Sequence, residues 1–146
     1  MSHLILVLNG PNLNLLGERE PDLYGHETLS DIMAMVQEHA IGRGADIRAA
    51  QSNSEGALID ALHDSRAWAS GVVFNPGGYT HTSVALRDAI SSIALPVVEA
   101  HLSNVYAREP FRHTSLLSGV CLGTVAGFGK HSYVVALDGL LRHLGA

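Results

Sequence analysis

Arg19 and Tyr24 sit together in a stretch that is otherwise short of charge, Asn9-Gly10-Pro11-Asn12-Leu13-Asn14-Leu15-Leu16-Gly17-Glu18-Arg19-Glu20-Pro21-Asp22-Leu23-Tyr24-Gly25. A phenol and a guanidinium this close in sequence could perform acid–base chemistry. A free phenol is protonated at neutral pH, and a nearby cation is what favours the phenolate. A second pair lies far downstream. Glu99 and His101 are separated by one residue at the end of an apolar run. In a strand that spacing puts both on one side, where a carboxylate can orient and polarise an imidazole. Spacing alone leaves plainer readings open. Tyr24 is equally a loop tyrosine packing its ring, Arg19 a solvated surface charge, and His101 a structural histidine closing a strand.

The elements that must position these groups alternate along the chain. Five strand-like runs are expected: His3–Asn9, Asp46–Gln51, Gly71–Phe74, Pro96–Ala100 and about Val120–Val125. Helical patterns separate them. Thr28, with Asp31 three residues on, starts the first as an imperfect capping box. Leu29, Ile32, Met33, Val36 and Ala40 follow as an amphipathic stripe, which Gly42 and Gly44 stop. Asn53 or Ser54 opens the second helix, with Ala57, Leu58, Ala61, Leu62 and Trp68 inward. Thr82 or Ser83 opens the third, which holds Val84, Leu86, Arg87, Asp88 and Ile90. The last spans Ser132–Leu144. Strand–helix alternation with apolar strands predicts an α/β fold with a parallel sheet covered on both faces. Right-handed crossovers make it a flavodoxin-like three-layer sandwich, a five-stranded parallel sheet of order 2-1-3-4-5.

Such sheets bind ligands beyond the carboxyl ends of their strands, near the point where strand order reverses. Asn9 and Asn12, Asn75, and His101 with Ser103 follow strands one, three and four. They should therefore converge on one crevice. The connection after strand one is far longer than a usual strand-to-helix turn and too rich in leucine for a disordered segment. It is expected to be a lid, about residues 10–25.

Composition narrows the class. The chain has 146 residues, 47% of them hydrophobic, and reads as a single domain over residues 1–146. No apolar run approaches membrane-spanning length, and Met1-Ser2-His3 does not begin a secretory signal. Cys121 is the one cysteine, which leaves no disulfide framework or cysteine-rich metal site. These features favour the cytoplasm. A formal net charge of −5 without a basic run argues against nucleic-acid binding. Gly127-Phe128-Gly129-Lys130 is neither a phosphate loop nor a dinucleotide fingerprint, because Thr124, His131 and Ser132 occupy positions those motifs need. His26-Glu27 lacks the second histidine of a zinc-protease helix, and there is no serine-hydrolase elbow. A signalling receiver domain would want acids where this chain has asparagines.

One ordered set of motifs is specific. Asn9-Gly10-Pro11-Asn12-Leu13, Arg19-Glu20-Pro21-x-x-Tyr24-Gly25, Asn75-Pro76-Gly77-Gly78-Tyr79-Thr80-His81-Thr82-Ser83, Glu99-x-His101-x-Ser103-Asn104 and Arg108-Glu109-x-Phe111-Arg112-His113 strongly resemble type II 3-dehydroquinate dehydratase. They occur in the family's order and span nearly the whole chain.

The resemblance implies loss of water from 3-dehydroquinate, without metal or organic cofactor, to give 3-dehydroshikimate. It implies Tyr24 as base, Arg19 as its activating cation with Arg108 adding to the field, Asn12 holding a water or the enolate oxygen, and His101 as general acid oriented by Glu99. Asn75, His81 and Arg112 are then expected on the substrate hydroxyls. The backbone amides of Leu102 and Ser103, with the Ser103 hydroxyl, are expected on its carboxylate. A dodecamer, a tetramer of trimers, is implied as well, with Asp88 reaching a neighbouring subunit's site. The unrelated type I enzymes form a lysine Schiff base, and Lys130 is this chain's sole lysine. Taken singly, several of these residues have ordinary readings. Asn12 and Asn75 suit turns, His81 a helix entry, Arg112 an ion pair with Glu109, and Asp88 an exposed helix face. A catalytically inert small-molecule binding module on the same fold is the alternative from another class.

Overall fold

The computed structural model describes residues 2–146, so Met1 and the part of the reading that rests on it lie outside it. Its strands are β1 (His3–Asn9), β2 (Ala45–Gln51), β3 (Gly71–Asn75), β4 (Val97–His101) and β5 (Gly123–Ala126). Its α-helices are the single turn α1 (Pro21–Tyr24), then α2 (Leu29–Gly42), α3 (Glu55–Ser65), α4 (Val84–Ile93) and α5 (His131–His143). The strands form one parallel sheet of order β2-β1-β3-β4-β5, as expected.

Side-chain alternation assigns the two faces. Ile5 and Val7 of β1, Val73 of β3, and Val98 and Ala100 of β4 join Ile32, Met33 and Val36 of α2 and Tyr133, Leu137 and Leu140 of α5. Leu6, Leu8, Val72, Phe74 and Val97 point the other way, onto Leu58 and Leu62 of α3 and Leu86 and Ile90 of α4. Successive strand residues therefore feed two cores, which is why β1 is apolar from Leu4 to Leu8. Among the described residues, no helix is long and apolar enough to cross a membrane.

Helix starts follow local chemistry. Thr28 and Asp31 form both halves of a capping box: the Asp31 amide donates to Thr28 Oγ1 at 3.1 Å, and the Thr28 amide donates to Asp31 Oδ2 at 3.0 Å. The shorter aspartate thus serves where glutamate is usual. Ser54 caps α3 and Ser83 caps α4, which settles both open alternatives. Several boundaries differ from the sequence expectation: β2 starts one residue earlier, β3 ends one residue later, and α5 runs His131–His143 instead of Ser132–Leu144. β4 starts one residue later than expected and includes His101. α3 ends at Ser65, so Trp68 lies beyond it. Residues 118–120 form a 3-10 turn instead of the start of β5, and strand pairing begins at Gly123. The Leu122 amide donates to the Val97 carbonyl at 2.7 Å, just ahead of the first paired residues.

The strand ends meet closely at the crevice. The Gly10 amide donates to the Asn75 carbonyl at 2.7 Å. A Cβ on Gly10 would lie 2.4 Å from the Pro76 carbonyl oxygen, which belongs to the backbone. Gly10→Ala is therefore expected to push β1 and β3 apart at their carboxyl ends. Overpacking of this kind costs about 3 kcal/mol and should lower the melting temperature by roughly 5–10 °C. A thermal melt of the variant beside the parent checks this.

Candidate active site

The β1 end delivers Pro11, Asn12 and Leu13 to a cavity of about 160 Å³. The β3 end contributes Asn75, Gly77, Gly78 and His81, and the β4 end contributes His101, Leu102, Ser103, Val105, Arg108 and Arg112. Arg19 and Tyr24 complete the lining from the connection after β1. Of the residues singled out in the sequence, Glu99 lies just behind this wall, buried under His101. Asp88 is exposed on α4, outside the cavity of its own chain.

The long connection is anchored before it reaches Arg19. Leu13 and Leu16 are buried in the core shared with α2 and α5. The Asn12 amide donates to Asn53 Oδ1 at 3.0 Å, and Gln51 Nε2 donates to the Gly10 carbonyl at 3.1 Å. Asn12 takes a left-handed conformation, with φ of 69°, a region that asparagine enters more readily than most residues. Gly17, at φ of 92°, sits against the His26 carbonyl, where a Cβ would approach to 2.9 Å. Gly17 and His26 form the neck of a smaller loop that holds Arg19 and Tyr24.

Two cations meet the Tyr24 phenol in different ways. Arg108 Nη1 donates to Tyr24 Oη at 2.8 Å and reaches Ser103 Oγ at 3.4 Å. The Arg19 guanidinium carbon lies 5.0 Å from the centre of the Tyr24 ring, while its Nη2 pairs with Glu20 at 3.1 Å. The direct contact to the oxygen is thus made by Arg108, and Arg19 lies within cation–π distance of the ring. Arg112 pairs with Glu109 through Nε, at 3.2 Å and 3.3 Å, and still lines the cavity.

Opposite polarity surrounds His101. Its Nε2 lies 2.5 Å from Glu99 Oε2. Glu99 also accepts from Thr80 Oγ1 at 3.2 Å, from Ser118 Oγ at 2.7 Å and from Ser115 Oγ at 2.9 Å and 3.1 Å. Burial by itself would raise the Glu99 carboxyl. The hydrogen bond and charge of His101, with the Ser118 and Ser115 hydroxyls, outweigh burial and hold it below the ordinary carboxylate range. A carboxylate accepts only, so His101 Nε2 carries hydrogen and Nδ1 is left to exchange a proton. The same logic fixes His81. Its Nδ1 faces the Thr114 carbonyl at 2.8 Å and must donate.

Thr80, Ser115 and Ser118 went unnoticed in the sequence, as did Tyr133. Tyr133 is fully buried on α5, and its hydroxyl touches both Asn75 and Asn9. Thr80 lies inside the motif over residues 75–83 and Tyr133 on the apolar stripe of α5, but neither position carries a local signal for its contact. Cys121 is not part of the site. Burial and then the charge of Glu99 push its thiol up to about 12, far from reactive thiolate.

Fold and site together define the class: an open α/β domain whose strand ends form a small, cation-rimmed crevice suited to a polar, anionic molecule. The chain belongs to the class II dehydroquinase family, whose description matches residues 3–141. It is similar to the 3-dehydroquinate dehydratase of Dinoroseobacter shibae, 56% identical over 142 residues that cover 97% of this chain and 95% of the relative. It is also similar to the solved type II dehydroquinase of Butyrivibrio crossotus, with a TM-score of 0.94 and 42% identity over 96% of this chain and 98% of the other. The type II dehydroquinase of Propionibacterium acnes superposes with a TM-score of 0.93 at 41% identity, covering 97% and 98% of the two chains.

Proposed function

We propose that this chain is a hydro-lyase that converts 3-dehydroquinate to 3-dehydroshikimate through an enolate, with Tyr24 as base and His101 as acid. The Arg108–Tyr24 hydrogen bond carries the reading. In the proposed step Tyr24 acts as phenolate beside the Arg108 guanidinium and takes the proton next to the substrate ketone. Arg19 adds positive charge over the ring. Asn12 presents its side-chain amide to a water or to the enolate oxygen, a fixed dipole where charge develops. His101, charged and held by Glu99, gives the proton to the departing hydroxyl, which leaves as water. Asn75, His81 and Arg112 hold the hydroxyl side of the substrate, while the Leu102 and Ser103 amides and the Ser103 hydroxyl hold its carboxylate. The proton on Tyr24 and the one lost by His101 then exchange with solvent to complete the cycle.

The lid in this reading is residues 10–25, and its moving part is the small loop beyond the Gly17–His26 neck, because Leu13 and Leu16 anchor the rest. The active form is a dodecamer, a tetramer of trimers, in which Asp88 of one subunit reaches a neighbour's crevice. Light scattering should give twelve copies of the 15.5 kDa chain. The enzyme acts in the cytoplasm, in the shikimate pathway towards aromatic amino acids and chorismate or in quinate breakdown, without metal or organic cofactor.

The deciding assay follows the ultraviolet absorbance of the conjugated enone product. An increase with 3-dehydroquinate and assembled protein is expected. A flat trace from folded, assembled protein would overturn the reading and leave a small-molecule binding module. The route is tested separately. Lys130 pairs with Glu27 at 2.7 Å and does not line the crevice. Borohydride added with substrate should therefore leave activity intact and Lys130 unlabelled by mass spectrometry. Chelator should likewise leave the rate unchanged.

A further inference from the structure

We infer that Tyr133 is a positioning residue that locks Asn75 as a hydrogen-bond donor towards the substrate, an inference that rests on the dehydratase reading above. Asn9 and Asn75 are register partners at the carboxyl ends of β1 and β3. Both follow residues that feed the α5 face, Val7 and Val73, by two positions, so their side chains point to the same layer. Tyr133, from the first turn of α5, places its hydroxyl between them. All three side chains are buried, with relative exposures of 0%, 3% and 1% for Asn9, Asn75 and Tyr133.

Donor and acceptor logic leaves one arrangement. The Ala50 carbonyl can only accept, so the Asn9 amide nitrogen faces it, at 3.3 Å. Asn9 Oδ1 therefore turns to Tyr133 and accepts its hydroxyl hydrogen at 2.6 Å. The Tyr133 oxygen is left as an acceptor and takes one hydrogen from Asn75 Nδ2 at 3.0 Å. Asn75 Oδ1 accepts from the Gly77 amide at 3.2 Å, which confirms the same orientation from the other end. With the oxygen engaged and one N–H engaged, the second N–H of Asn75 is the group available to the crevice that Asn75 lines. The ligand atom meeting Asn75 must then offer a lone pair. A backbone carbonyl of β2 thus sets the polarity of a substrate contact two strands away, through three side chains. Burial keeps water from substituting for any member of the chain. Burial also raises the Tyr133 hydroxyl well above the ordinary phenol range, against the smaller opposing effect of Asn75, so it remains a neutral donor.

The test is a double-mutant cycle on kcat/KM with 3-dehydroquinate. Tyr133→Phe removes only the hydroxyl and leaves the Asn75 amide held by the Gly77 contact alone, and should lower kcat/KM about tenfold in the parent. In an Asn75→Ala background it should have almost no further effect. Asn9→Ala, which removes the acceptor that orients the Tyr133 hydroxyl, should show the same dependence on Asn75 and serves if Tyr133→Phe does not fold. A merely structural role would lower the melting temperature and leave the two losses independent. Multiplicative losses, or no loss in a folded Tyr133→Phe variant of an active parent, overturn the inference while the dehydratase reading stands. An inactive parent overturns that reading instead.

Discussion

Tyr24→Phe is expected to keep the fold and lose about a thousandfold or more in kcat, within the range that removal of a proton-transfer group produces. The substitution deletes one oxygen. The ring stays in place near both cations, whose guanidinium carbons lie 5.0 Å (Arg19) and 5.6 Å (Arg108) from its centre. What disappears is the acceptor for Arg108 Nη1 at 2.8 Å. Tyr24 is only half-buried and its short helix contributes no buried residue, so the melting temperature should change by no more than a few degrees. Substrate affinity should change much less than turnover, because the residues proposed to hold the hydroxyls and carboxylate are untouched. Steady-state kinetics and a thermal melt on one preparation check both halves. A variant that keeps a tenth of the parent's kcat would remove Tyr24 as the base.

That prediction names Arg108 where spacing pointed first to Arg19, and the reason is geometric. Tyr24 and Arg108 are separated by 84 positions and meet only because the connections after β1 and β4 fold over the same sheet edge. Local spacing can find a cation near a phenol in sequence, but not the one that reaches its oxygen. Tyr133 shows the same limit from another side. On α5 it occupies one position of an apolar stripe with Ala136, Leu137, Leu140 and Leu141, and in sequence it is indistinguishable from an ordinary core aromatic. Only register pairing of Asn9 with Asn75 reveals what its hydroxyl is for. Elements with strong periodicity or caps were legible: β1, α2 with Thr28 and Asp31, and the strand order that gathers Asn12, Asn75 and His101 at one edge. Val120-Cys121-Leu122 misled because an apolar run looks like a strand whether or not a ladder partner is available. Here the Leu117 amide donates to Ser115, and the Val120 amide closes a turn onto Leu117 before pairing begins.

His101→Ala is expected to lower kcat about a thousandfold and to reverse how stability responds to acid. In the parent, Glu99 is held below its ordinary value, so its contribution to stability is full above the unfolded carboxyl's titration. That contribution is lost as pH falls through the lower folded value. In the variant burial stays while the hydrogen bond and charge of His101 vanish, leaving only Ser118, Ser115 and Thr80 on the carboxylate. Removing one partner of a buried pair costs about 3–5 kcal/mol. A carboxyl left buried without its cation moves up, so the folded state takes a proton more readily than the unfolded chain. The variant should therefore gain stability as pH falls through that raised value towards the unfolded carboxyl's titration, a range in which the parent's Glu99 contribution is still full. In melting temperature against pH, acidification should raise the variant's curve above the unfolded carboxyl's titration, and lower the parent's curve below it. Adding Glu99→Gln to His101→Ala should flatten the variant's curve, because it removes the group that titrates. Parallel curves for parent and variant would mean that the close contact of His101 with Glu99 does not set the charge of the buried carboxyl, and the acid role assigned to His101 would lose its support.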